Sequence, residues 1–517
     1  MKAKSLYLLV CLGIVQISVA QKLHYELPEN ASKMYNNGNF IKAKELYRDL
    51  YKKNQNNTEF KFRFGVSLLN SYEWEDGLKM LEEVSKKSDV SNEVWYYLGK
   101  GYHLTNRYDL AIKMFEKYIS IDGSSALAEK SKRRIEMCLN AKSLVKSPVN
   151  TQFENLGKYI NSNGKECNPV VTPDENYILF TTRREGTTGR IYDLEGYYTA
   201  DIYASSFKSN KWSKARSINY PNSYGNESVA GISEDGTYIF YYVDNPKEKN
   251  SLYMAEKGKR SYMKPKKINN KDINAKHSQQ LSATISNDGN TMIFSSDRKD
   301  GKGQFDLYIA KKLPNGKWGI PSNMGERINT SLNENYPYLV DEGKTLYFAS
   351  EGHQSIGGYD VFKSTFDEET QTWSEPENIG YPLNTPDDNT GICFSQDKKI
   401  VYLSAYRSDS EGGLDIYRVE LKDEETELTT VKGMVYQSDS SLVNYPMQIE
   451  AFKEDGGDLQ GIFEVNSSKG SYIMILPPNK YILKIADNNG NTIEKKLWIK
   501  DRNLFKAEIE QNIVLSQ

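Results

Sequence analysis

The side chains able to move protons, attack carbonyls or hold metals are few and scattered. Histidine occurs only four times, as His24, His103, His277 and His353, far apart and in unlike contexts. Cys11 lies in an apolar N-terminal run, while Cys138, Cys167 and Cys393 fall at irregular spacing in apolar or strand contexts. Such thiols read as buried and inert, and they form no disulfide framework. There is no H-E-x-x-H and no C-x-x-C, and Gly231-Ile232-Ser233-Glu234-Asp235 fails the nucleophile-elbow pattern at its last position. Carboxylates are plentiful but lie mainly in turns, so no pair stands out as a glycosidase acid and base. Asp297 to Asp306, with Asp300-Gly301 inside, is the best calcium candidate, yet it lacks the ligand spacing of an EF-hand loop. No catalytic residue, cofactor or metal is assigned, and binding is the expectation.

Composition narrows the partners. The 517 residues carry 67 Lys+Arg against 69 Asp+Glu, a net charge of −2, which argues against a protein that works by neutralising nucleic-acid phosphates. Mean hydropathy is −0.68, too polar for a polytopic membrane protein. The 37 Tyr and 36 Gly exclude a disordered chain and suit many short strands and turns. Residues 1–20 combine Lys2 and Lys4, an apolar stretch from Leu6 to Val15, and small residues at Ser18-Val19-Ala20. This is the pattern of a signal peptide cleaved before Gln21, and it predicts export to the periplasm, with association to the outer membrane as a further option. Cys11 lacks the small residue that a lipoprotein signal places before its cysteine.

Two repeats must position whatever binds. The first has a period of 34: Ala31, Gly65 and Gly99; Phe40, Trp74 and Tyr108; Ala43, Gly77 and Ala111; Tyr47, Leu81 and Phe115. Small residues where helices cross and large ones between hairpins are the mark of tetratricopeptide repeats. An all-α solenoid is expected over residues 21–148, closed by a capping helix from Ser125 to Val145. Its concave groove would bind a partner through Tyr35, Asn36, Val66, Leu69, Asn70, Lys100 and His103. Pro28 and Ser32 stand where chaperone-binding relatives carry Lys and Asn, so a carboxylate clamp is not expected. Residues 21–150 hold 22 Lys+Arg and 17 Asp+Glu, which points this end toward an acidic partner.

The second repeat runs over residues 149–422. A turn precedes a strand at Thr172-Pro173-Asp174, Ser233-Glu234-Asp235, Ser286-Asn287-Asp288, Asp341-Glu342-Gly343 and Ser395-Gln396-Asp397. A second element follows each: Asp201-Ile202-Tyr203, Ser251-Leu252-Tyr253, Asp306-Leu307-Tyr308, Asp360-Val361-Phe362 and Asp415-Ile416-Tyr417. Four strands per unit, repeated radially, predict a β-propeller of five blades, or six if one is degenerate. Phe153 to Gly157 reads as a closing strand that would complete the last blade. The turn followed by Asp-Ile-Tyr resembles the PD40 (WD40-like) repeats of TolB-type propellers. Repetition of the Asp residues favours a turn-holding role over a calcium ring.

After an acidic linker, Asp423 to Glu427, alternating strands predict a small β-sandwich over residues 423–517. Val431 to Val435 and Tyr472 to Ile485 resemble the carboxypeptidase-regulatory-like (transthyretin-like) module, which carries no catalytic residues. Signal peptide, tetratricopeptide repeats, PD40 propeller and this module, in that order, resemble the OmpA-family multidomain periplasmic proteins of Bacteroidetes-type bacteria, PorE-like members included. That resemblance implies a non-enzymatic scaffold with envelope proteins as partners, in an outer-membrane-associated type IX secretion or gliding assembly. A glycan-binding or glycan-cleaving propeller is the alternative. The sequence ends at Gln517 without an OmpA-like segment, so peptidoglycan binding is not carried over.

Overall fold

Residues recurring every 34 positions sit where helices cross most closely. The computed structural model describes residues 27–259, 261–422, 428–455, 457–486, 492–500 and 507–515. The expected signal peptide and acidic linker lie outside them. Seven helices are found among these residues: α1 (27–36), α2 (Phe40–Lys53), α3 (Thr58–Leu69), α4 (Trp74–Val84), α5 (Val94–Leu104), α6 (Tyr108–Ile121) and α7 (Ala126–Leu144). A Cβ at Gly77 of α4 would lie 2.8 Å from the Leu69 backbone nitrogen, and one at Gly99 of α5 would lie 2.6 Å from the Phe115 ring. Ala31, Ala43 and Ala111 are fully buried, and Tyr47, Leu81 and Phe115 fill the space between hairpins. Side chains of Asn39 and Asn57 cap α2 and α3 by accepting from backbone N–H groups. Among the described residues no helix is long and apolar enough to cross a membrane.

Residues 151–421 form five four- or five-stranded antiparallel sheets, a five-bladed propeller. The inner three strands of each blade are Glu166–Val171, Tyr177–Thr182 and Asp201–Lys208 in blade 1, and Asn226–Ile232, Tyr238–Asp244 and Ser251–Glu256 in blade 2. Blade 3 uses Ala283–Ile285, Thr291–Ser296 and Asp306–Lys311; blade 4 uses Glu334–Val340, Thr345–Ser350 and Asp360–Asp367. Blade 5 is Ile392–Phe394, Ile400–Ala405 and Asp415–Leu421, and Thr151–Asn155 adds its outer strand with Phe153 opposite Val419. The ring therefore closes on its own N-terminal strand, as expected, and leaves no free outer edge there. Aromatic cross-strand pairs such as Phe294–Tyr308 and Phe348–Phe362 absorb part of the tyrosine and phenylalanine surplus.

The recurring Asp residues are structural. In the turns, Ser233, Ser286 and Ser395 donate their hydroxyls to Asp235, Asp288 and Asp397 at 2.7, 2.5 and 2.7 Å. Asp306, Asp360 and Asp415 head the third strands and accept backbone N–H groups of Lys302, Ile356 and Glu411 at 2.7–2.8 Å. Among the described residues no group of three His, Cys, Asp or Glu could hold a metal, and the calcium candidate Asp306 spends its carboxylate on its own loop. A further fivefold device was not anticipated. Asn161, Asn222, Asn274, Asn329 and Asn384 each accept from and donate to one backbone residue, respectively Ile416, Ile202, Leu252, Leu307 and Val361.

Among the described residues, those of 27–142 and 151–421 form one compact unit, and those of 143–150, 422 and 428–515 form a second. The second corrects the expected fold class. A solenoid, a propeller and a β-sandwich do not describe this mostly β chain, because the last part is a single sheet curled into a half-barrel. Its order is Thr492–Ile499, Asn479–Ala486, Met447–Lys453, Leu459–Val465, Ser471–Leu476, Thr429–Tyr436 and Glu508–Glu510, with Ile513–Val514 also on Thr429–Tyr436. Leu459–Val465 pairs on both sides, so the hydrogen-bond ladder runs across the place where two sheets would separate. One face buries Val431, Ile449, Met474 and Leu483, while Ile473 and Ile475 point outward. The transthyretin-like expectation falls with the sandwich.

Candidate ligand site at the channel mouth

The five innermost strands converge on a channel that is nearly shut. Its cavity measures about 30 Å³ and is lined largely by apolar groups, among them Val170, Val229, Ile232 and Ile392, leaving room for a water or two. Charged groups gather at both ends: Asp174, Glu234, Asp235, Lys257 and Lys398 line a cavity of about 490 Å³ where the innermost strands end, and a second set lies where they begin. Bulges interrupt that end of blades 1, 2 and 4, between Cys167 and Val170, Val229 and Gly231, and Asn335 and Tyr338. They turn Asn168 and Tyr336 into left-handed backbone, at φ 51° and 49°.

The helices roof this mouth over three of the five blades. On blade 4, Arg133 of α7 donates to the carbonyls of Glu351 and Gly352 at 2.7 and 3.1 Å and to the Ser355 hydroxyl at 2.8 Å. Asn140 donates to Ser355 O. On blade 5, Tyr406 packs against Tyr72 and Trp74 with ring centroids 4.7 and 4.8 Å away. On blade 1, Gly196 approaches Asn39 so closely that a Cβ would overlap its side-chain amide. Among the described residues, the corresponding loops of blades 2 and 3 add no such contact, so the roof is half a roof.

Between roof and mouth lies a partly buried cluster of charged groups and aromatic rings, the chamber. From the roof comes Lys100, whose ammonium donates to Asn70 Oδ1 at 2.5 Å; burial, with Arg134 nearby, pulls it down to about 8. Blade 1 supplies Lys165, whose Nζ stands 4.4 Å from the Tyr197 ring centre and 5.5 Å from that of Tyr72. Blade 4 supplies Tyr336 and Tyr359, edge to face at 6.5 Å. Blade 5 supplies Asp387 and Asp388. Burial and the neighbouring Asp388 carboxylate push Asp387 up to about 6, against the pull of Lys165 and Lys100. Lys100, Lys165, Asp387 and the tyrosines keep part of their surface open, and Asp388 is exposed. Its groups are therefore partly buried and reached by solvent.

Four of the five blades lock the loop after the bracketing Asn in the same way. In blades 1, 2 and 4 the residue five places after the bracketing Asn is Glu166, Glu227 or Glu334. Each holds the backbone N–H and hydroxyl of the following Ser or Thr. Thr182 and Ser350 add a second hydroxyl to Glu166 and Glu334. In blade 5 the loop reads Asn384-Thr385-Pro386-Asp387-Asp388-Asn389, and Ala405 replaces the second hydroxyl. Asn389, 3 % exposed, makes the lock in place of a glutamate: its Oδ1 accepts the Thr385 N–H and hydroxyl at 2.7 and 3.1 Å, while its Nδ2 and Oδ2 of Asp387 have no partner.

The groove residues read from sequence fall in four places. Val66 and Leu69, 0 and 2 % exposed, belong to the core between hairpins. Tyr35 packs edge to face on Phe40 and Tyr47 beneath the Arg63 guanidinium, and Asn36 reaches Ser32 on the surface. Asn70 and Lys100 enter the chamber. His103 lies fully buried at the seam, where its Nε2–H donates to Ile356 O at 2.8 Å. Burial, with Arg134 nearby, lowers it to about 3, so it is neutral. Asp387, Asp388, Lys165 and the chamber tyrosines escaped sequence reasoning. Their available signal was Asn389, which stands in blade 5 where blades 1, 2 and 4 carry Glu.

No family model matches the chain, and no curated protein matches it. Solved structures similar to it include a complex of BT0996 with RGII, 10 % identical over 56 % of this chain and 96 % of that one, with a TM-score of 0.37. The β-propeller domain of Myceliophteria thermophila Cps50 (Swd1) is 8 % identical over 67 % and 99 %, at 0.26. The Penicillium chrysogenum α-L-arabinanase complexed with arabinobiose is 10 % identical over 63 % and 98 %, at 0.31. These superpositions are loose, and the propeller rests on its own strand order.

Proposed function

We propose that this protein is a non-catalytic binding scaffold of the bacterial cell envelope, in which helices and propeller act as one platform. The half-roofed mouth carries the reading: binding groups from the roof and three blades converge there, above a channel too narrow for a substrate. The 34-residue hairpins support a tetratricopeptide identity, and the outer helix faces are left for a protein partner. The signal-peptide pattern of residues 1–20 supports export, and the order of repeats supports membership of an outer-membrane-associated secretion or gliding assembly.

Affinity capture of the tagged full-length protein from crosslinked envelopes tests this reading. A reproducible set of envelope proteins, crosslinked to outer helix faces or to the loops of blades 2 and 3, is the expected result. Recovery of no reproducible partner would overturn it.

A further inference from the structure

We propose that the cavity at the far mouth of the propeller, where the innermost strands end, binds an organic cation: an ammonium or guanidinium group carried on an aliphatic stem. This goes beyond the scaffold reading and does not depend on it, since the cavity is lined by the blades and not by the helices.

Space is the first support. The cavity measures about 490 Å³, within the roughly 300–1,000 Å³ of small-ligand pockets. All five blades contribute to it. Val340 and Phe394 end the innermost strands of blades 4 and 5, and with Tyr338 they make an apolar floor. That floor is aromatic in the main: Tyr338 and Phe394 stack with centroids 6.2 Å apart and planes at 16°, and Tyr347 packs on Phe394. Among the described residues no lysine or arginine stands over either ring. The turns of the blades form the rim, so an entering ligand meets polar groups first and the rings last. An aromatic floor takes both an aliphatic stem and the cation at its end.

Charge is the second support. Asp174, Glu234 and Asp235 line the cavity against Lys257 and Lys398, an excess of one carboxylate. The Lys398 ammonium is already spent, lying on the Asp341 carboxylate and 3.1 Å from Glu234 Oε1. Counting Asp341, four carboxylates share the mouth with two ammonium groups. Asp174 and Asp235 are exposed, and an ionised carboxylate offers about four acceptor sites, more than their turn bonds take up. An anion would enter against this excess, and an uncharged ligand would leave it unanswered.

Lys398 shows the mouth holding a cation, and this is the third support. It stands where blades 2 and 3 carry Gly236 and Gly289, all three in left-handed backbone at φ 59°, 69° and 70°. A lysine in that conformation is strained. From there it reaches out of blade 5 to a carboxylate of blade 2 and another of blade 4. Glu234 is held ready by other bonds as well, accepting from Asn287 Nδ2 and from the Asp341 N–H, both at 3.0 Å. An incoming ammonium or guanidinium meets the same carboxylates, so Lys398 is its competitor.

The test is calorimetric titration of the full-length protein with the acetylated amides of arginine and lysine, set against those of citrulline and norleucine as uncharged counterparts. The cationic probes should bind and the uncharged ones should not. Asp174→Asn combined with Asp235→Asn keeps the Oδ1 acceptors of both turns while removing two charges, and it should weaken binding by about tenfold or more. Lys398→Met should act in the opposite direction, tightening binding about threefold, because it frees Glu234 and Asp341. Asp439→Asn, in a turn of the half-barrel, should change nothing. Thermal melts check that each variant is folded; if Lys398→Met is not, Lys398→Gln replaces it. A tetrapeptide with one central arginine separates two sources of the cation. Binding about tenfold tighter than the single amide assigns it to a protein segment, and equal binding assigns it to a free amine. The proposal is overturned if neither cationic probe binds, if the uncharged counterparts bind equally, if the double substitution leaves affinity unmoved, or if a folded Lys398 variant binds more weakly.

Discussion

Asp387 is ionised at neutral pH against its surroundings. Burial and the adjacent Asp388 raise it to about 6 in the folded protein, above the roughly 3.9 of an unfolded aspartate. The folded state therefore holds this proton more tightly than the unfolded state. Its contribution to stability is full below about pH 4 and is lost as pH rises through about 6. Asp387→Asn should accordingly be more stable than the parent at pH 7.5, by about 1 kcal/mol after allowance for partial solvent access, and equal to it near pH 4. Melting curves at the two pH values check this, and a variant less stable at pH 7.5 would refute it. Tyr72 sets a second trade. Substitution by Asn, the residue at the equivalent turn of the next hairpin, relieves about 1 kcal/mol of left-handed strain. It forfeits a similar amount of ring contact with Trp74 and Tyr406. Stability should stay within about 1 kcal/mol; a large loss of stability would show that the ring is held for packing. Neither residue was legible as functional in the sequence. Asp387 sits in a loop composition indistinguishable from a turn, and the strain at Tyr72 exists only once the backbone is known.

The elements were legible where a contact repeats, and illegible where the same pattern serves two architectures. Ala31, Gly65 and Gly99 show their spacing because every hairpin needs a small residue at its crossing. Asp-headed third strands recur because every blade closes the same loop. The closing strand could be read from its likeness to Glu377–Gly380, and it pairs as expected. The half-barrel could not be read. Alternation along Ser471–Leu476 specifies one buried face, but one sheet curled on itself and two sheets face to face present the same alternation. Closure yields a testable expectation at Asn155. Its Nδ2 donates to Asp415 Oδ2 and the Tyr417 hydroxyl at 2.9 and 3.1 Å, and its Oδ1 accepts from Gly157 N and Asn161 Nδ2 at 2.7 and 2.8 Å. Asn155→Ala leaves several of these groups unpaired and should cost about 2–3 kcal/mol. The loss should appear first as faster amide exchange along Asp415–Leu421. Exchange there no faster than in blade 3 would mean that closure does not depend on this side chain.

Helices and propeller belong to one unit because their seam is built from bonds that neither half can satisfy alone. His103 is neutral and buried against Ile356 O, and Arg133 gathers carbonyls of the loop that leads into Asp360. Arg133 is half-buried and pairs with Glu136 on its own helix, while its other acceptors belong to the other half, so it ties roof to ring and parting them strands several carbonyls. Amides of α5 and of Asp360–Asp367 should therefore exchange through the same opening in native-state hydrogen exchange, with one free energy for both. Arg133→Ala should separate them. The α5 amides would then open about 1–3 kcal/mol more easily while those of blade 3 stay as before. If α5 already exchanges through a cheaper opening in the unaltered protein, the roof is a hinged neighbour of the propeller, and the chamber it shares with the blades is not held in advance of its ligand.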